Sequence, residues 1–484
     1  MADDERSVTK SEIAQTELAE VDDGMQADEF RKRERKVLIK LDMYIAPLLG
    51  FFNFISYIDR SNIGFAATQG MSADLGLKGS DLNVAVSIFY VLYTACEIPV
   101  SYYAKRLQFQ RVMPTLTILF GAITLGGGFI HNYAGLVGTR VILGLFEGAL
   151  FPCLALFIAN YYKREELAVR MVFLFGSTAL SGAFGGLVSY GIYYMNGARG
   201  IAGWRWIYIV EGAITIVFGI ACYWLVPVSP EKAYFLSEED KKVMRIRAEH
   251  TAAYSGGSGH FKLGDLVTAA KDIKTWLHGC QQFCNLAPLY GFNNFLPIIL
   301  KSGLGYSTLS TQYLTIPVQL WGCFVYIVVA WFSDRYKSRY VPLAVFAPVV
   351  AVGYAILLSP VKPAVEYFAC FVVITGMYIL AGNTIAWTSA NCAPDGKRAG
   401  TIGIFLTICD TSGIVVGQLY QAKDAPRYTL GHAWTLGMMV VSFILLHIIL
   451  FLYKKREKEK LTMAEDEYPD GEWSDRAKNF HYVF

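Results

Sequence analysis

RVILGLFEGALFPCLALFIA, residues 140–159, carries two charged side chains, Arg140 and Glu147, in a run that is otherwise apolar. A helix needs about 20 mostly apolar residues to cross the hydrocarbon core of a bilayer, and this stretch supplies them. Ile118 to Ile130, Ile207 to Val226 and Leu436 to Leu452 are of the same kind, and such runs recur along nearly the whole chain. Of the 484 residues, 54% are hydrophobic and 17% charged, against about 25% charged in soluble domains. The sequence therefore predicts an all-α integral membrane protein embedded in a lipid bilayer.

Working outward from residues 140–159, twelve transmembrane helices are expected, at 41–59, 82–102, 112–130, 136–161, 170–194, 206–226, 275–298, 311–332, 341–359, 366–387, 399–421 and 433–453. Lys and Arg set the orientation. With the N-terminus inside, the short inner loops hold Lys105, Arg106 and Arg111; Lys163, Arg164 and Arg170; Arg335, Lys337 and Arg339; and Lys397 and Arg398. RKRERK at 31–36 and KKREKEK at 454–460 add to the inner side, whereas the outer loops carry scattered bases such as Lys78, Arg199, Lys301 and Lys362. Both termini are thus expected in the cytoplasm. The opening MADDERSVTK is polar and acid-rich, without the apolar core of a signal peptide.

The longest interruption, about 227–274, separates six spans from six. Ser237-Glu-Glu-Asp240 in it reads as a helix start with an acid three residues after the cap. Leu263, Leu266, Val267 and Ala270 form a short apolar stripe suited to a membrane surface. The expected organisation is a cytoplasmic tail at 1–40, a six-helix bundle at 41–227, a central cytoplasmic loop at 228–273, a second six-helix bundle at 274–454 and a tail at 455–484. Two such bundles follow the parallel-repeat plan of a large transporter class. The loop Ala104-Lys-Arg-Leu-Gln-Phe-Gln-Arg111 echoes Ser333-Asp-Arg-Tyr-Lys-Ser-Arg339 at the equivalent place in the other half.

Several function classes drop out. No G-x-x-x-x-G-K-[ST] phosphate loop is present, so the chain by itself does not use ATP in that way. Nine cysteines lie in or beside apolar runs, and no second ligand pair accompanies Cys280 and Cys284. No metal or cofactor is expected. The net charge of +3 gives no reason to expect a nucleic-acid partner, and the seven scattered histidines supply no reactive cluster for an enzyme.

Charges within spans are the most informative residues, because a charge at the bilayer centre costs at least about 2.5 kcal/mol. Asp59, Glu97, Arg140, Glu147, Glu211 and Asp410 qualify. Arg140 and Glu147 are two helical turns apart and share a face. A guanidinium suits a carboxylate because its fork donates two parallel bonds, and a buried carboxyl such as Glu147 can take and release a proton. The bland alternative is a static ion pair. Asp410, between Thr407 and Thr411, is a second proton site or simply bonds neighbouring hydroxyls. Tyr290, Asn293 and Asn294, with Asn383, could hydrogen-bond a substrate or merely bridge helices. Asp59 and Arg60 close the first span as a gate, a binding-site rim or a plain helix-end pair. Glu97 and Glu211 suit the orientation of loop bases or pairing between helices. Gly144 with Gly148, and Gly182 with Gly186, make G-x-x-x-G faces for close helix approach.

The loop Ser333-Asp334-Arg335 with Arg339 resembles the D-R-x-G-R-R loop of the major facilitator superfamily, and Arg140-Val-Ile-Leu-Gly144 resembles its R-x-x-x-G motif. The first-half copy of the loop has Lys105 where the acid usually stands. Tyr57-Ile-Asp-Arg-Ser-Asn-Ile-Gly64, Phe146-Glu-Gly-Ala-Leu-Phe-Pro152, Gly203-Trp-Arg-Trp-Ile207, Phe295-Leu-Pro297, Ala422-Lys-Asp-Ala-Pro-Arg-Tyr428 and the ending Asn479-Phe-His-Tyr-Val-Phe484 are similar to its fungal anion:cation symporter branch, which includes allantoate and nicotinate permeases. Asp410 departs from that branch, where an amide is more usual. The resemblance implies a monomeric, proton-coupled carrier that imports a small organic anion such as nicotinate, pantothenate or allantoate across the plasma membrane. Arg140 would hold the carboxylate, Glu147, Asp410 and Asp59 would couple protons, and Asp334, Arg335, Arg339 and Arg106 would form a conformational latch. Two other readings stand: efflux of a fungal metabolite, and a nutrient receptor that does not transport.

Overall fold

The computed structural model of the chain describes residues 27–103, 108–162, 164–254, 263–336, 338–463 and 474–484. Among them every regular element is a helix. The first half contains α1 (Ala27–Thr68), α2 (Asp81–Tyr103), α3 (Phe109–Gly127), α4 (Tyr133–Glu147) with its continuation α5 (Leu150–Ala159), α6 (Arg164–Tyr193) and α7 (Gly203–Leu225). Two loop helices follow, α8 (Glu238–Tyr254) and α9 (Leu263–Lys271). The second half holds α10 (Ile273–Ile298), α11 (Thr308–Arg335), α12 (Tyr340–Leu358), α13 (Pro363–Ala390), α14 (Asp395–Gly417) and α15 (Thr429–Lys460).

Each of the expected spans falls on one of these helices, with the fourth divided between α4 and α5. Nine of the helical stretches are long and apolar enough to cross a membrane among the described residues. The helix α10 is not among them, and its side chains show why. Lys274, His278, Gln281, Gln282, Asn285 and Asn294 on it are all buried. A helix enclosed by protein needs no lipid-compatible surface.

The halves pack internally and meet along four seams: α1 on α10, α2 on α14, and α6 on both α11 and α13. The paired glycines set the closeness of approach. A Cβ on Gly144 or Gly148 would run into the α2 backbone at Phe89 and Tyr93, and one on Gly182 or Gly186 would meet Gln319 or Thr315 of α11. The first pair therefore packs within a half and the second across the halves.

On the side of the loop helices, each half carries its own brace. Ser237 caps α8, its hydroxyl accepting from Asp240 N at 3.2 Å while Ser237 N donates back to Asp240 Oδ2 at 3.1 Å. The first turn of α8 then holds the extended start of α1 through Arg33–Glu239 and Lys40–Asp240, both 2.5 Å. Further along, Arg247 bridges Glu34 at 2.7 Å and Glu166 at 2.5 Å. The stripe on α9 rests partly on protein, with Ala269 buried against Gly400 of α14 while Val267 stays exposed.

Beneath the second half, the final residues fold back. Val483 O accepts from Trp387 Nε1 at 2.8 Å and Asn391 Nδ2 at 2.9 Å, and Tyr482 stacks on Tyr453 with centroids 4.7 Å apart. Asp475 is fully buried, 2.9 Å from Lys397 and in contact with Lys274. Asp272 joins them, 2.7 Å from Arg456 and 3.0 Å from Lys397. Burial alone would push the Asp272 and Asp475 carboxyls up, but the surrounding cations outweigh it and hold both below the usual carboxylate range.

Candidate functional site: a buried arginine between the halves

The first helix decides the site. Sequence patterning ends the span at residue 59, yet α1 continues to Thr68. Ser61 and Asn62 are buried against protein and Ile63, Phe65 and Ala66 keep the turn apolar, so nothing stops the helix. Asp59 and Arg60 accordingly lie well inside it, both buried, rather than at a rim. As neighbours on a helix they point about 100° apart, and they enter two different clusters.

Arg60 faces α2 and α4. Its Nη2 is 3.7 Å from Glu147 Oε1, and Ser56 Oγ donates to the same carboxylate oxygen. Aromatic rings surround the guanidinium, with its carbon 4.5 Å from the Tyr57 ring centroid, 4.6 Å from Tyr93, 5.3 Å from Phe89 and 5.9 Å from Tyr90. Such faces attract a cation, the more so where water is excluded. Arg60 Nε and Nη1 nevertheless have no hydrogen-bond partner among the described residues. A buried guanidinium with two unused donors, one on each edge that Nη2 completes, can receive an anion.

Asp59 faces α7 instead, where Thr215 Oγ1 donates to it at 3.3 Å. Arg140 is close by, its Nη2 donating to Asn62 Oδ1 at 2.8 Å and Tyr208 Oη at 2.9 Å. Glu211 adds a buried carboxyl to this cluster. Arg140, the sequence candidate for holding a carboxylate, is thus tied by hydrogen bonds inside the first half, and Arg60 is the guanidinium with free donors.

The second half contributes Asp410, which accepts a hydrogen bond from the Tyr290 hydroxyl. Asn294 Nδ2 donates to Tyr290 O at 2.9 Å and to Tyr90 Oη of the first half at 3.3 Å. Asn293 Oδ1 accepts from Gln319 Nε2 at 3.1 Å and from the Tyr378 hydroxyl at 3.2 Å. The Tyr290 and Tyr90 rings meet across the halves at 4.8 Å, tilted by 43°. Asn383 is buried on α13, its amide nitrogen without a hydrogen-bond partner among the described residues. The structure therefore brings Tyr290, Asn294 and Asp410 into one polar wall that meets the Arg60 cluster at Tyr90. The amide–phenol group of Asn293, Gln319 and Tyr378 stands beside it.

The halves are joined at one end of the seams. Asn83 Nδ2 donates to Gly417 O at 2.7 Å and Tyr420 O at 3.0 Å, Ser87 Oγ to Ile414 O at 2.8 Å, and Gln312 Nε2 to Thr68 Oγ1 at 2.9 Å. A cleft of about 290 Å³ lined by Thr68, Lys78, Asn83, Lys301 and Tyr420 opens at this end. Of the latch residues, Arg335 is exposed, while Arg339 is buried and donates from Nη1 to Ser333 Oγ at 3.1 Å and from its backbone to Phe484 O at 3.0 Å. The Asp334 side chain and Arg106 lie outside the described residues.

Sequence reasoning missed Arg60 as the central cation and the tyrosines around it. A signal was present: Tyr57 with Arg60, and Tyr90 with Tyr93 and Glu97, have the three- and four-residue spacings that put side chains on one helix face.

The family profile described as Major Facilitator Superfamily matches residues 49–418. The chain belongs to this superfamily. It is 40% identical to an uncharacterized transporter of Schizosaccharomyces pombe, over 99% of this chain and 97% of that one. It is 32% identical to the high-affinity nicotinic acid transporter of Saccharomyces cerevisiae, over 96% of this chain and 87% of that protein. These relatives support the fungal permease branch of the superfamily. Among solved structures, a proton:xylose symporter bound to a sugar analogue overlays with a TM-score of 0.66 at 15% identity, covering 85% of this chain and 94% of that one. The xylose transporter of E. coli in a partially occluded inward-open form gives 0.63 at 14% identity, over 85% and 96%. The chain is a membrane transporter and not an enzyme.

Proposed function

We propose that this transporter imports a small organic anion together with protons by alternating access, with Arg60 as the anion-binding group. The observation that carries the reading is the pair of unbonded donors on the buried Arg60 guanidinium, opposite Glu147. Leaving such donors empty in a low-dielectric site is costly, and a carboxylate takes one of them together with Nη2 once Glu147 gives that nitrogen up. The relationship to a nicotinic acid transporter supports a carboxylated nutrient, of the nicotinate, pantothenate or allantoate kind.

The coupling follows from sharing. Ionised Glu147 competes with the substrate for Arg60. Protonation of Glu147 frees the guanidinium for the incoming carboxylate, and loss of the proton on the other side lets Glu147 reclaim Arg60 and expel the anion. Arg140 is one cation beside two buried carboxyls, Asp59 and Glu211, and compensates one of them, so Asp59 is a second place for a proton. Tyr290, Asn293 and Asn294 contact the rest of the substrate, and Asn383 offers a further donor. Arg339 with Arg335 steadies the inner end of α11.

The topology that goes with this reading has twelve crossings, two six-helix bundles at 41–227 and 274–454 joined by the loop 228–273, and both termini in the cytoplasm. The monomer is the working unit and the plasma membrane its location. In that orientation the seams joined by Asn83 and Thr68 lie outside, so this conformation is closed outwardly.

The test is uptake of labelled nicotinate, pantothenate, biotin and allantoate into proteoliposomes, with and without an inward proton gradient. Accumulation of one of them only with the gradient supports the reading. No accumulation by protein shown to be folded turns attention to export, measured as the same fluxes in the opposite direction.

A further inference from the structure

A second positive site stands far from Arg60, at the end where the seams are joined. The cleft of about 290 Å³ there is formed between the halves, by Thr68, Lys78 and Asn83 of the first and Lys301 and Tyr420 of the second. Ligand pockets begin at about 300 Å³, so the space suits a small molecule. Among the described residues its only charged lining groups are the two lysines, and each comes from a different half.

The chain fixes both. Lys78 sits in the turn joining α1 to α2, between Gly76 and Gly79, whose φ values of +63° and +51° a side chain would resist. Its N–H donates to Asp81 Oδ2 at 2.8 Å and its carbonyl accepts from Asp81 N at 3.0 Å, so that acid serves the turn and is outside the cleft lining. Asp424, in the loop after α14, is outside the lining as well. Lys301 sits on a π-helical turn, Ile299–Gly303, that continues α10 and buries Ile299 and Leu300. Its ammonium donates to Thr68 O at the end of α1, a carbonyl that has no partner within its own helix. Burial pulls the Lys301 ammonium below its usual range, and no carboxylate raises it again.

Two cations in one cleft repel each other. Lys301 spends one of its three N–H donors on Thr68, and a neutral carbonyl does not cancel its charge. A small anion between the lysines would cancel the repulsion and take donors from both halves. The cleft exists only where the halves meet, so that anion binds the closed arrangement better than one in which the halves have parted. A ligand shifts a conformational equilibrium by its difference in affinity for the two states. This anion would therefore draw the joined end shut.

We propose that Lys78 and Lys301 form a regulatory anion site, taking a small oxyanion or carboxylate, that holds the outer end closed when occupied. It rests on the orientation and the anion import proposed above, and adds a place separate from Arg60 where an anion acts. External anion would slow the return of the empty carrier to the outward side. It would lower the maximal rate of uptake without competing for Arg60.

The experiment follows the joined end directly. Spin labels at Ala73→Cys and Thr429→Cys, exposed positions on opposite halves, are placed in full-length protein with the exposed Cys280→Ser. Their separation is read in phosphatidylcholine nanodiscs as sodium sulfate replaces sodium chloride at constant ionic strength and pH. The short-distance population should grow with sulfate. Lys78 is exposed, so Lys78→Gln should fold, and it should need about tenfold more sulfate, the worth of one bond to a charged group. Lys301→Gln should shift the response in the same direction. Arg60→Gln should keep it, because the anion acts elsewhere. A parallel titration with sodium nicotinate separates the sources: closure by nicotinate as well gives the site to the transported class, and closure by sulfate alone gives it to an inorganic oxyanion. A distance that ignores both anions, or a Lys78→Gln variant that responds like the background, overturns the site. An indifferent distance beside gradient-driven uptake removes the site alone. Closure by sulfate beside uptake that ignores the gradient removes the import reading alone.

Discussion

Replacing Asp475 with Ala should unfasten the C-terminal residues and destabilise the second half. Asp475 is fully buried, in contact with Lys274, 2.9 Å from Lys397 and 3.9 Å from Arg456. Lys274 is itself fully buried. Removing one partner of a buried ion pair costs about 3–5 kcal/mol, because the other charge is left uncompensated. Asp272 remains to serve the same cations, 3.0 Å from Lys397 and 3.8 Å from Lys274. The loss should therefore sit near the lower end, about 3 kcal/mol. Asp475→Asn keeps the shape and should lose less. The assay is thermal unfolding in detergent, with limited proteolysis to report release of the tail. The sign with pH is fixed by the lowered carboxyls of Asp475 and Asp272. Their contribution is complete above the ordinary carboxylate range and is lost as pH falls through their lowered values. The wild type should weaken in acid, and Asp475→Asn should weaken less steeply. An Asp475→Ala protein with an unchanged midpoint and a protected tail would refute the reasoning.

Other expectations concern packing and the site. Gly148→Leu would place its Cβ 2.7 Å from Tyr93 Cα, so it should abolish monodisperse protein on size exclusion, whereas Gly138→Leu, with open space around it, should be tolerated. Gln319→Leu removes one donor from the Asn293 amide oxygen and one acceptor from the Tyr378 hydroxyl, leaving those two bonded only to each other at 3.2 Å. One lost buried hydrogen bond is worth about 1–3 kcal/mol, so uptake assays should show KM raised about tenfold with the maximal rate largely kept.

The helices were legible because the bilayer imposes a length and an apolar content on each crossing, and the alternating Lys and Arg loops marked the turns. Helix ends were less so. The apolar window ends near residue 41, but α1 begins at Ala27, since Arg33 and Glu34 of its RKRERK start pair with Glu239 and Arg247 of α8, far away in sequence. Hydropathy reports the membrane's thickness, not the helix. The fourth span carries its own break at Gly148, where the helix passes close to Tyr93. At the site, Arg140 and Glu147 were found by their spacing, yet spacing along one helix cannot say which neighbours claim each charge. Asn62 and Tyr208 take Arg140, and Ser56 and Arg60 take Glu147. Asp59 and Arg60 looked like a helix-end pair because they are adjacent and opposite in charge. Only the continuation of α1 to Thr68 sends them into separate clusters.

Competition between Glu147 and substrate for Arg60 is the core of the account, and Glu147→Gln tests it most directly. Gradient-driven accumulation and exchange counterflow of labelled nicotinate would be measured side by side in proteoliposomes, for the wild type and the variant. A glutamine cannot ionise to reclaim Arg60, so the variant should keep counterflow and lose accumulation against a gradient. A variant that accumulates substrate as the wild type does, with the same dependence on the proton gradient, would contradict the claim.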